Sequence, residues 1–124
     1  MTGRGDGPAE RIRLVIAGQG PDAGAAVLAR ALRDAGMEVV YTDRQQTADE
    51  LVETVVQEDA DAIGLVGPDA ALLARLAGLL QADDAVVFAV GVRPDADRPA
   101  PAQLFPPGAD PGQVVGWLRG RAGA

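Results

Sequence analysis

At 124 residues the chain is long enough for one domain with a single core. It contains no His, Cys, Lys, Ser or Asn, so every basic side chain is Arg, which excludes nucleophilic catalysis by Ser or Cys, Schiff-base chemistry, and metal sites built from His or Cys. A net charge of −7, with arginines scattered among carboxylates, argues against nucleic-acid or anionic-membrane binding, and no apolar run approaches the roughly 20 residues that span a bilayer.

Residues 1–10 are polar and Gly-rich, and read as a disordered lead-in without the apolar core of a signal peptide; a cytoplasmic protein is expected. The run Ile12 to Ala17 is nearly all apolar, as in a strand buried on both faces. Residues 22–35 place Ala25, Leu28, Ala29 and Leu32 at helical spacing, and Gly36 is a natural stop. Met37 to Tyr41 reads as the second strand, and 42–46 as a polar loop. Thr47 and Glu50 form a capping box opening a helix to about Glu58, with an apolar stripe of Leu51, Val52, Val55 and Val56. Ala62 to Val66 is the third strand. After Gly67-Pro68-Asp69 comes a helix bearing Leu72, Leu73, Leu76, Leu79 and Leu80. Ala85 to Val90 is the fourth strand, 91–101 a connection rich in Pro and Asp, and Gln103 to Phe105 a short fifth strand. A last helix, Asp110 to Arg119, carries Val114, Val115 and Trp117, and 121–124 is a tail.

Alternation of strand and helix predicts one α/β domain over 11–120, a flavodoxin-like, Rossmann-like five-stranded parallel sheet in the order 2-1-3-4-5 with helices on both faces. Such folds hold ligands at the carboxyl ends of their strands, here the segments 18–24, 42–46, 66–69 and 91–95. The chemistry at that edge is sparse. The third glycine after Gly18-x-Gly20 falls at Gly24, one position too far for a dinucleotide fingerprint, and there is no P-loop lysine. A phospho-acceptor receiver needs paired carboxylates after strand 1, an aspartate ending strand 3 and a lysine after strand 4. These strands end in Ala17-Gly18 and Val66-Gly67, and the lysine is missing. Flavodoxin's Ser/Thr-rich phosphate loop is missing too. Asp43, Asp69 and Asp95 read as helix caps or loop charges.

Several segments, in order, resemble the cobalamin-binding domain of methylmalonyl-CoA mutase and its relatives. Residues 11–17 followed by Gly18-Gln19-Gly20 and Asp22-x-Gly24 are similar to that family's first strand and its D-x-H-x-x-G loop. Leu32 to Val40, Gln46 to Val52 and Glu58 to Leu65 also match. Val90-Gly91-Val92-Arg93-Pro94 resembles G-G-V-x-P, and Leu104-Phe105-Pro106-Pro107-Gly108-Ala109 resembles a final strand with its F-G-P-G turn. The resemblance implies a cobalamin site at Gly18, Gln19, Gly20, Pro21, Asp22, Gly24, Val66, Gly67, Val90 and Gly91. It also implies what is altered there. Pro21 stands where the family has its cobalt-ligating histidine, and that histidine's orienting aspartate is missing from a shorter loop. Val66 replaces a hydroxyl that reaches the nucleotide tail, and Val90 replaces a glycine against which the tail lies.

Two functions remain open. One is a non-catalytic module without cofactor, acting through a partner protein such as a mutase-like subunit, or through self-association. The other is a genuine cobalamin carrier in a base-on mode that needs no histidine. No catalytic or metal residue is expected on the chain, and a partner is expected to bury 18–24 and 66–69.

Overall fold

The protein is described by a computed structural model covering residues 11–18, 24–42, 46–80, 85–92 and 102–121. In chain order it forms β1 (Arg13–Gly18), α1 (Gly24–Asp34), β2 (Glu38–Thr42), α2 (Ala48–Gln57), β3 (Ala62–Val66), α3 (Ala70–Leu79), β4 (Val86–Val90), β5 (Gln103–Phe105) and α4 (Pro111–Arg121). The five strands make one parallel sheet in the order 2-1-3-4-5. This is the expected topology.

Alternation along the strands divides the core into two layers. Leu14, Ile16, Ala62, Val66, Phe88 and Phe105 turn toward α1 and α4. Val15, Ala17, Ile63, Leu65 and Ala89 turn toward α2 and α3. The apolar run of β1 is buried throughout from Leu14 onward because helices cover both of its faces.

Local chemistry starts the helices where the sequence places them. Thr47 Oγ1 accepts from Glu50 N at 3.1 Å while Glu50 Oε1 accepts from Thr47 N at 2.9 Å, completing the capping box. Asp69 Oδ1 accepts from Leu72 N at 2.7 Å and caps α3. At the amino end of the sheet, the Arg13 guanidinium binds Glu58 through both a side-chain oxygen and the main-chain carbonyl, and reaches Glu38 at 3.3 Å. Those hydrogen bonds, Glu58 first and Glu38 second, raise the Arg13 pKa above its ordinary value. Arg13 and Asp61 also exchange main-chain and side-chain bonds, so β1, β2, β3 and the end of α2 are tied at one place.

The helix faces are narrower than the sequence suggests. In α2 the sheet takes Ala48, Leu51 and Val55, leaving Val52 half-buried and Val56 64% exposed. In α3 Leu73, Leu76 and Leu80 are buried, whereas Leu72 is half-buried and Leu79 exposed. In α4 Val114 and Leu118 face the core, with Val115 and Trp117 half-buried beside them. Each helix packs on the sheet from one side only, so apolar residues at the border of the stripe stay partly in water. β4 is less buried than its composition suggests, because β5 pairs only with Phe88, Ala89 and Val90.

Candidate functional site

The parallel register brings four positions into one row at the carboxyl end. Gly18 pairs with Val66, Val66 with Val90, and Val90 with Phe105. A row below, Ile16 pairs with Gly64 and Gly64 with Phe88. Both rows face α1 and α4. Val66 is 9% exposed, and Val90 is half-buried against the same cluster. At Gly18 the helix comes close: a Cβ there would lie 3.1 Å from that of Ala25.

The space over Gly64 is filled from within. Phe88 is fully buried, and its ring lies where a Gly64 side chain would go, so that a Cβ at 64 would overlap it. Trp117 and Phe105 meet this ring edge-on, with centroids 5.6 and 6.2 Å away, and stand 6.0 Å from each other. Three of the four aromatic residues in the chain therefore gather beside the Val66–Val90 row, with Phe105 in that row and Phe88 one row below. The sequence shows each of them but gives no sign of the cluster, which arises from strand register and from the way α4 lies on the sheet.

Among the described residues, three main-chain amides at this edge are already used. Gly67 N donates to Val90 O at 2.9 Å, and Gly91 N and Val92 N both donate to Phe105 O, at 2.8 and 3.3 Å. Gly67 and Gly91 have φ of 70° and 89°, conformations that suit glycine, and they turn the chain sharply at adjacent strand ends. A Cβ at Gly91 would lie 3.7 Å from Gly67 N. At the strand ends that are described, the edge thus presents the apolar side chains of Val66 and Val90 and the occupied amides of Gly67, Gly91 and Val92.

Of the ten site positions read from the sequence, the structure brings Gly18, Val66, Gly67, Val90 and Gly91 together and places Gly24 at the start of α1. Gln19, Gly20, Pro21 and Asp22 lie outside the described residues, as do Asp43 and Asp95. Asp69 is a helix cap. Gln46, the last residue of the candidate segment 42–46, has a buried Oε1 with no hydrogen-bond partner beside the α2 capping box. Among the described residues there is no group of three or more metal-ligating side chains, and no helix is long and apolar enough to cross a membrane.

Topology and site position define a doubly wound α/β domain with its candidate site at the carboxyl edge of the sheet. The B12 binding domain family matches residues 11–112, and the chain belongs to that family. It is 42% identical over 101 residues to the 2-hydroxyisobutanoyl-CoA mutase small subunit of Aquincola tertiaricarbonis, covering 76% of this chain and 74% of that protein. It is 34% identical over 128 aligned positions to the pivalyl-CoA mutase small subunit of Xanthobacter autotrophicus, covering 93% and 84%. Among solved structures, a cobalamin-binding protein from Desulfitobacterium hafniense superposes with a TM-score of 0.70 at 19% identity, over 92% of this chain and 60% of that one. The receiver domain of RstA from Klebsiella pneumoniae gives 0.67 at 17% identity, over 89% and 97%. These last two likenesses show the fold alone.

Proposed function

We propose that this chain is the cofactor-domain-like small subunit of a cytoplasmic, mutase-like assembly, and that it works through contact with a partner subunit rather than by holding cobalamin. The relatives supporting this reading are themselves named as small subunits of CoA mutases. The observation that carries it is the filled α1–α4 side of the carboxyl edge, with Val66 and Val90 packed beside the Phe88–Phe105–Trp117 cluster. Cobalamin brings a cobalt ion and a tail with a phosphate and a sugar, which call for a nitrogen ligand and hydrogen-bond donors. The described row offers neither, and the chain contains no imidazole. On this reading the residues present do not fit the cofactor, and catalysis belongs to the partner.

A second reading, the base-on carrier, draws on the glycines at the rim. A Cβ at Gly67 would meet nothing within 4 Å, so the backbone there remains approachable. Titration of the purified protein with hydroxocobalamin and adenosylcobalamin, followed by absorption spectra, separates the two. We expect no spectral change and no retained corrin, and the same result for Pro21→His, since a new ligand would not remove the valines. A base-on spectrum would establish the carrier. Tight binding by Pro21→His would mean that the missing histidine was the only barrier.

A further inference from the structure

Three large apolar side chains stand exposed among the described residues: Val27 on α1, Val56 on α2 and Leu79 on α3. The last two come together. α2 and α3 pack side by side on one face of the sheet, and as crossovers between parallel strands they run in the same direction. Arg75 of α3 reaches Asp49 of α2 at 3.2 Å, so the sides of the two helices that bear these residues face one another. Helical spacing puts Val52 and Val56 on the Asp49 side of α2, and Leu79 on the Arg75 side of α3. At a rise of about 1.5 Å per residue, Val52 and Val56 lie about 4.5 and 10 Å beyond Asp49, and Leu79 lies about 6 Å beyond Arg75. Leu79 therefore stands level with the interval between the two valines, and the three line the outer groove between the helices. Val52 is half-buried there, whereas Val56 and Leu79 open to solvent.

The border of this groove is acidic. α2 and the turn after it carry Asp49, Glu50, Glu53, Glu58, Asp59 and Asp61, and the carbonyl end of α2 adds negative potential beside Val56. The described cations on this side are Arg75 and, at the amino edge of the sheet, Arg11 and Arg13. All three are engaged: Arg75 by Asp49, Arg11 by Glu38, and Arg13 by Glu58 and Glu38. Glu53, three residues before Val56, is exposed and pairs with no cation among the described residues.

We propose that the α2–α3 groove docks a basic amphipathic helix of a partner protein, with apolar side chains over Val52, Val56 and Leu79 and Arg or Lys against Glu53. Two helices lying side by side leave a furrow that a third can fill. Charge selects the occupant. A second copy of the chain would bring its own acidic border against this one, and nucleic acid or an anionic membrane meets the same repulsion. The groove lies on the face of the sheet opposite Phe88, Phe105 and Trp117, so the proposal stands whether or not cobalamin binds.

The test is a titration of the full chain against a fluorescein-labelled helical peptide of leucine and lysine, with the leucines on one face, followed by anisotropy at several salt concentrations. We expect saturable binding that weakens with salt, and binding about ten-fold weaker when every leucine is replaced by alanine. Val56→Gln/Leu79→Gln should weaken binding about ten-fold with thermal unfolding retained, since both side chains are exposed. Glu53→Arg, a change confined to the helix surface, should weaken binding and flatten its salt dependence. Val27→Gln, on the other layer, should bind like the parent. The proposal fails if the alanine peptide binds as tightly, if Val27→Gln loses as much as Val56→Gln/Leu79→Gln, or if Glu53→Arg leaves the affinity unchanged. It fails equally if sedimentation shows the chain pairing with itself in dimers that Val56→Gln abolishes.

Discussion

Replacing Gly64 by alanine adds one methyl group to the middle of the sheet, where the Phe88 ring already sits. In a strand with free space this change would stabilise, because glycine costs roughly 0.5–1 kcal/mol relative to alanine in regular structure. Here the sign reverses. Overpacking a filled core costs about 1–3 kcal/mol, and three features place Gly64 at the top of that range. β3 is hydrogen-bonded on both sides, so its backbone cannot step away. Phe88 is fully buried and meets the new atom with its ring, not with the free end of a flexible chain. Phe105 and Trp117 block the ring's retreat. We therefore expect a loss near 3 kcal/mol, and a fall in Tm on the order of 10 °C for a chain of this size. Thermal and urea unfolding followed by circular dichroism measure it. Phe88→Leu alone should cost about 1–2 kcal/mol through lost ring packing. Combined with Gly64→Ala, it should cost less than the sum of the two single changes, because the shorter side chain makes room for the methyl group. An unchanged or raised Tm for Gly64→Ala, or strict additivity in the double variant, would refute the filled-space argument.

Val90→Gly should lower stability by about 1–3 kcal/mol through lost burial, a small cavity and added chain entropy, read by the same unfolding curves; if stability hardly changes, the side chain is not packed and the edge is open. Gly116→Ala, on the exposed side of α4 with nothing within 4 Å of the added Cβ, should raise stability by about 0.5–1 kcal/mol, seen as an increased urea midpoint at unchanged slope.

The sequence is most legible where structure is local. Short apolar runs located the five strands and period-3.6 patterns the four helices, and Thr47 with Glu50 announces the start of α2 in the sequence itself. Strand order followed because parallel strands joined by helices leave few topologies open. What stayed hidden depends on contacts between distant residues. The pairing of Gly64 with Phe88 joins residues 24 positions apart, and the arrival of Trp117 depends on how α4 crosses the sheet. Val56 misled for a simpler reason: it follows Val55 on the helix surface, and a one-sided helix buries only one of them. At the candidate site Val66 and Val90 were visible as letters, whereas their common row, and the aromatic cluster beside it, were not.

The knot of Arg13, Glu38, Glu58 and Asp61 stands at the end of the sheet opposite the candidate site. It ties β1, β2 and β3 at their amino ends, four or more residues from Gly18, Val66 and Val90 along the strands. A substitution at 66 or 90 therefore leaves these ion pairs and hydrogen bonds untouched, and the strands remain aligned at their amino ends even when packing at their carboxyl ends changes.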